Sequence, residues 1–269
     1  MEQIGQILIT EKHANFSETA CKAEEIKTGK FCECGLELTK ALIPVKGIIM
    51  EFANACNCEM ENYIQIVENQ KQNETARIIK KIFPVTELGQ GMQERYSKKW
   101  ATKTGTENAL EKIKHLTDEI INNNKPKGLI IWGKSGNGKT HLSYLAYKKL
   151  EKHNKNIIIT TAIDLLKKIE KTYYEKPNYT KDDIFNAIKQ SDLLILDDFG
   201  TEKYTEKRCE TMFEIIDFCY RHNIPMLITA NDYVFQKFEE AAELQKIISR
   251  LCEMCTKVEN TASDYRKEL

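Results

Sequence analysis

The chain has 269 residues, with 40 basic against 40 acidic side chains, a hydrophobic content of 41% and a charged content of 30%. That length holds one large α/β domain and a small appendage, and the balanced charge excludes a general attraction to nucleic acid, leaving only local patches for such contacts. Residues 1–15 carry acids and no long apolar core, and no run approaches the ~20 apolar residues of a membrane span, so neither a signal peptide nor a membrane segment is expected. Nine cysteines without a secretory signal point to a reducing, cytoplasmic location, where paired cysteines hold metal more often than they form disulfides.

Residues 1–75 read as one unit: a short helix around Ser17 to Lys27, a cysteine-bearing stretch, then a helix from about Glu59 to Lys81. Cys32-Glu33-Cys34-Gly35 and Cys56-Asn57-Cys58-Glu59 supply two C-x-C pairs. Cys32, Cys34, Cys56 and Cys58 can give four thiolates to one tetrahedral Zn²⁺, although the spacing is tighter than the common C-x₂-C. The other reading is four unrelated buried thiols, and the polar surroundings speak against it. His13 and Cys21 lie close enough in sequence to serve as spare ligands, but the reading is that neither does.

Pro84 to Gly91 reads as a connector, and Gln93–Trp100 and Asn108–Asn122 as helices within a lead-in covering residues 76–124. From Lys127 strands and helices alternate, which predicts an α/β fold over residues 125–269, with a parallel sheet covered by helices. Strands are expected at Leu129–Trp132, Asn156–Thr160, Leu193–Asp197 and Pro225–Ala230, with a weaker one at Thr256–Glu259. Helices are expected at His141–Lys152, Glu206–His222 and Leu244–Glu253.

Gly133-Lys134-Ser135-Gly136-Asn137-Gly138-Lys139-Thr140 completes the pattern G-x-x-x-x-G-K-[ST] between the first strand and the first helix of that domain. In this setting the glycines let backbone N–H groups turn inward onto phosphate oxygens, and the helix adds its positive end. The candidate nucleotide contacts are Gly133, Ser135, Gly136, Asn137, Gly138, Lys139, Thr140 and His141. Lys139 is expected on the β- and γ-phosphates and the Thr140 hydroxyl on Mg²⁺. Leu193-Leu194-Ile195-Leu196 ends in Asp197-Asp198, which places Asp197 at the metal and Asp198 where it can orient an attacking water; Asp198 also reads as a helix N-cap. Asp197 to Gly200 fits the D-x-x-G of GTPases, but the base-reading motif of those proteins follows it, whereas the matching residues here precede it. ATP is the expected nucleotide.

Asn231, after the apolar run Met226 to Ala230, reads either as a γ-phosphate contact or as a strand-ending turn. Arg250 sits on an amphipathic helix; it reads as a surface arginine or, in an oligomer, as an arginine finger for the neighbour's site. Two helical segments, Ile163–Glu175 and Lys181–Gln190, fill a crossover that needs one. The first has Ile163, Leu166, Ile169 and Tyr173 on one face and Lys167, Lys168 and Lys171 elsewhere. With Tyr174 and Tyr179 nearby, this suits single-stranded nucleic acid or a solvated lysine face. Cys252-Glu253-Met254-Cys255 reads as packing.

Together the loop G-K-S-G-N-G-K-T, the strand L-L-I-L-D-D-F-G, the strand L-I-T-A-N, the helix I-S-R-L and the terminal D-Y-R resemble the AAA+ ATPases of bacterial and phage replication. The likeness is to DnaC/DnaI-type replicative helicase loaders, with the IstB transposition helpers as near relatives, and covers about Phe83 to Arg266. The cysteine unit resembles the zinc-bearing helicase-binding domain of loaders from Gram-positive bacteria and their phages. The resemblance implies an AAA+ P-loop fold, a sensor role for Asn231, an arginine finger at Arg250 and a second sensor at Arg266. It also implies single-stranded DNA at the 163–190 insertion, a hexameric replicative helicase as partner and assembly into a homo-oligomer. Asp264 stands where these relatives usually have Ser. The implied activity is ATP-dependent helicase loading; the alternatives are a transposition helper and a regulatory adaptor switched by nucleotide.

Overall fold

The computed structural model describes residues 6–8, 24–32, 35–45, 48–54, 57–85, 103–175, 177–201, 205–234 and 242–265. Its contacts divide into two compact units, Met1–Asn73 and Glu74–Leu269. Among the described residues no helix is long and apolar enough to cross a membrane.

The first unit holds an antiparallel sheet of β1 (Gln6–Leu8), β2 (Glu24–Phe31), β3 (Glu37–Val45) and β4 (Ile48–Asn54), in the order β1-β4-β3-β2. The helix expected over Ser17 to Lys27 is corrected by this sheet, since Glu24 to Lys27 pair in register with Leu42 to Thr39. Their side chains favour a helix locally, but cross-strand pairing decides the outcome; residues 17–23 lie outside the described part. At the hairpin tip the Cys32 N–H donates to the Leu36 carbonyl at 2.9 Å and the Gly35 N–H to the Cys32 carbonyl at 2.8 Å. Gly35 has φ +84°, a left-handed turn position open to glycine. The helix expected next is α1, Asn57–Ile82.

The second unit is built on a parallel sheet of β5 (Gly128–Gly133), β6 (Ile157–Thr161), β7 (Leu193–Phe199), β8 (Met226–Asn231) and β9 (Cys255–Glu259), in the order β6-β7-β8-β5-β9. The helices are α2 (Glu107–Ile121), α3 (Lys139–Lys152), α4 (Ala162–Tyr174), α5 (Lys181–Lys189), α6 (Glu206–Arg221) and α7 (Ala242–Met254). The two-residue alternation of each strand divides the core. Leu129, Ile131, Ile157, Ile159, Leu193, Ile195 and Leu227 meet α2 and α3 on one face. Ile130, Ile158, Leu194, Leu196 and Ile228 meet α4 to α7 and Ile79, Ile82 and Phe83 on the other. Being covered on both faces explains why these strands are apolar throughout.

The overlong crossover is two helices, as expected. Thr161 caps α4 by accepting the Asp164 N–H at 3.1 Å, and Thr180 forms a capping box with Asp183 at the start of α5. Two details differ from the expected pattern. Lys168 is buried, with its ammonium 5.5 Å from the Phe83 ring centroid and 5.4 Å from that of Tyr179. Tyr173, placed on the packed face by periodicity, is instead 52% exposed. A lysine stem packs readily on apolar surface when its charged end finds aromatic faces. In the Cys252–Cys255 pair, Cys252 ends exposed on α7 while Cys255 opens β9 inside the core.

Candidate nucleotide site

The carboxyl ends of β5, β7 and β8 converge, with Gly133 paired to Asn231 across β5 and β8. In open α/β sheets this is where ligands bind. Gly133, Gly136 and Gly138 have φ of +146°, +80° and +91°. At Gly136 the left-handed backbone calls for glycine, and the Asp264 carboxylate occupies the space a Cβ would take. Gly138 then starts α3.

Lys139 is buried, and its ammonium donates to the Gly133 carbonyl at 2.9 Å, the Lys134 carbonyl at 2.7 Å and Asn137 Oδ1 at 3.1 Å. The charge is thus held inside the loop. A clasp from the end of the chain keeps the loop in shape. Asn137 Nδ2 donates to the Asn260 carbonyl at 2.5 Å, Asn260 Nδ2 returns a bond to the Asn137 carbonyl at 2.8 Å, and the Tyr265 N–H donates to the Gly136 carbonyl at 3.0 Å. Both asparagines are 1% exposed. Tyr265 is anchored in turn: its hydroxyl accepts the Lys103 N–H at 3.0 Å, and the Lys103 ammonium lies 4.1 Å from its ring centroid. Ser135 is exposed, and His141, on the first turn of α3, is buried. Burial pushes the His141 pKa down to about 4, so the ring is neutral at pH 7.

Asp197 is 2% exposed, and burial drives its pKa up to about 6. Hydrogen bonds from Thr229 and Thr140 oppose the rise, as does the Lys139 charge, while the Asp198 charge adds to it. Asp198 is exposed and left-handed, with φ +52°. The Thr140 hydroxyl beside a buried carboxylate is the oxygen donor set a hard divalent cation takes, so these residues fit Mg²⁺ together with a nucleotide phosphate. An acid with a raised pKa costs stability as pH climbs from the unfolded value near 4 through about 6, and the cost is complete above that. Asp197→Asn is therefore expected to stabilise the nucleotide-free protein in EDTA at pH 7.5 by on the order of 2–3 kcal/mol, with the gain shrinking towards pH 4. Urea unfolding at both pH values checks this.

The structure brings together Gly133, Gly136, Asn137, Gly138, Lys139, Thr140, Asp197, Asp198 and Asn231. It does not bring Arg250 to this site. Arg250, on α7, is 3.4 Å from an Asp217 carboxylate oxygen and 4.0 Å from one of Glu253, and its guanidinium lies 4.5 Å from the Tyr220 ring centroid. Arg266 lies outside the described residues. So do Cys34 and Cys56, and of Cys58 only the backbone position in α1 is described. Among the described residues no cluster of three metal-binding side chains occurs. Thr229, Asn260 and Tyr265 belong to the site without forming part of any motif in the sequence. A threonine inside the apolar run of β8 is a usable signal for the first; the Asn137–Asn260 pairing, 123 residues apart in sequence, leaves none.

The family model for IstB-like ATP binding proteins matches residues 61–269. The chain belongs to that family. Similar curated proteins include the replicative helicase loader DnaC of Buchnera aphidicola subsp. Acyrthosiphon pisum, 30% identical over 115 residues, which are 42% of this chain and 45% of the relative. Another is the uncharacterized protein YdaV of Escherichia coli (strain K12), 26% identical over 113 residues, 42% of this chain and 44% of the relative. The chain thus spans less than half the length of these relatives. The crystal structure of the DnaC helicase loader superposes with a TM-score of 0.50 at 23% identity, covering 62% of this chain and 96% of the other. AMPPCP-bound DnaA from Aquifex aeolicus gives 0.50 at 23%, covering 60% and 48%. The fold is the AAA+ P-loop NTPase fold, as expected, and the family is an ATP-binding one.

Proposed function

We propose that the chain is an ATPase that loads a replicative DNA helicase onto single-stranded DNA. The observation that carries this is the 30% identity to a replicative helicase loader in a chain whose phosphate loop and acidic strand form one site. In this reading the Gly133–Gly138 amides and Lys139 hold the phosphates, and Thr140 and Asp197 hold Mg²⁺, which offsets phosphate charge. Asp198 and Asn231 orient the attacking water. Arg250 completes the site of a neighbouring copy, Arg266 senses the nucleotide of its own, and the assembled copies grip a hexameric helicase in the cytoplasm.

For the DNA contact, the support is an aromatic and basic patch on α4 to α6. Tyr173 and Tyr174 are 52% and 74% exposed, and the Lys207 ammonium lies 5.2 Å from both ring centroids. Lys167 and Lys171 are exposed beside them. Rings that stack on bases contribute ~1–3 kcal/mol each, and lysines track the phosphates.

For zinc, the support is register. Phe31 pairs with Glu37, and Thr39 with Asn54. The turn bearing Cys32 and the strand end preceding Cys56 therefore lie at one end of the same sheet. Cys32, Cys34, Cys56 and Cys58 acting together predict one zinc per chain by elemental analysis. Stripping it, or Cys56→Ser, should unfold residues 1–73 with ~10–16 kcal/mol of binding energy lost, while nucleotide binding persists. A zinc-free, folded chain contradicts the assignment.

Light scattering on the full chain mixed with the helicase, Mg²⁺ and a non-hydrolysable ATP analogue tests the partner; a stable joint complex is expected. The family match favours one second reading, an IstB-like transposition helper. No helicase complex, but an ATP-dependent filament on duplex DNA, would select it.

A further inference from the structure

At the acidic end of β7, two residues face one. Leu196 pairs with Ile228 and Phe199 with Ala230, so Asp197 and Asp198 together oppose Thr229 of β8. This is a β-bulge, which disrupts the ladder and re-aims a side chain. Thr229 is fully buried, and its hydroxyl makes two bonds at that point. It donates to Asp197 Oδ1 at 2.5 Å and accepts the Asp198 N–H at 3.0 Å. One hydroxyl thus replaces the missing ladder partner and ties down both acids. Without it the Asp198 N–H loses its acceptor in a bulge where Asp198 already holds φ +52°, a conformation uncommon outside glycine. The bond is part-buried, and leaving its donor unpaired is costly enough to move the backbone.

We propose that Thr229 is the positioning residue of the acid pair: its hydroxyl holds the bulge that turns Asp198 outward while Asp197 stays inward. This rests on the assignment of Asp197 and Asp198 given above. Thr229 acts through the Asp197 carboxylate and the Asp198 backbone N–H. A valine there fills the same volume without the hydroxyl; a serine restores the hydroxyl in a smaller shape.

The first readout needs no nucleotide: amide hydrogen exchange of the segment containing Asp198 in the full chain. Thr229→Val should speed it at least about 10-fold, and Thr229→Ser should leave it near wild type. The second is binding of a fluorescent ATP analogue with Mg²⁺ and with EDTA. Thr229→Val should lose most of the affinity gained from Mg²⁺ relative to EDTA, about 10-fold; serine should restore the gain. Should the valine variant not fold, Thr229→Ala against Thr229→Ser carries the same comparison. Equal impairment of the serine and valine variants, or wild-type exchange and Mg²⁺ response in the valine variant, overturns the proposal. A wild-type chain that binds no nucleotide defeats instead the reading on which it rests.

Discussion

Lys139→Ala is expected to abolish nucleotide-dependent behaviour, with hydrolysis falling by at least about 100-fold. The ammonium is the charge inside the loop, held by two backbone carbonyls and Asn137 Oδ1. Removing it takes away the cation proposed to meet the phosphates and leaves those three acceptors facing one another. Loss of one preorganised electrostatic group of this kind costs ~10²–10³ in rate. Because Asn137 is also clasped to Asn260, the loop backbone should survive, and the variant should stay folded. ATP hydrolysis and equilibrium binding of a fluorescent nucleotide, each beside a thermal melt, separate the two effects. Unchanged turnover in a folded Lys139→Ala protein would remove Lys139 from the catalytic set and favour an adaptor whose nucleotide acts only as a switch.

The second large effect is at Arg250. In the single chain this arginine is stacked on Tyr220 and paired with Asp217 and Glu253. Its partly exposed ion pairs contribute little stability, so Arg250→Ala should melt near wild type. If Arg250 serves a neighbour's site, the same change should lower turnover by ~10³–10⁵. Mixing decides between the two roles. Lys139→Ala copies have a defective loop but an intact Arg250, and Arg250→Ala copies the reverse, so a mixture should recover activity that neither has alone. No recovery, with assembly intact, would return Arg250 to the surface.

The parts of this site that are legible in the sequence are those whose chemistry is local. The phosphate loop is a contiguous pattern between a strand and a helix, and Asp197 ends an apolar strand, so the residues alone locate both. Strands buried on both faces are apolar throughout, which makes β5 to β8 readable as short runs. The β-sheet of the first unit is hidden because its strands carry charged residues such as Glu24, Lys27 and Lys40, which read as helix or loop until pairing is known. The clasp between Asn137 and Asn260 is hidden by sequence distance. Thr229 shows in the sequence only as a threonine inside an apolar run; the β-bulge it serves is a property of two strands together, and no single run announces the bulge. Lys168 illustrates the converse: period alone marks it as solvated, and two aromatic rings from outside its helix make burial tolerable.

ATP-driven delivery of a helicase is read from loading onto closed circular single-stranded DNA that carries a short annealed strand. With the replicative helicase, this chain and ATP, displacement of the annealed strand should rise several-fold over helicase alone, and Lys139→Ala should remove the gain. Helicase activity unchanged by the folded, nucleotide-binding chain would rule out the loader role.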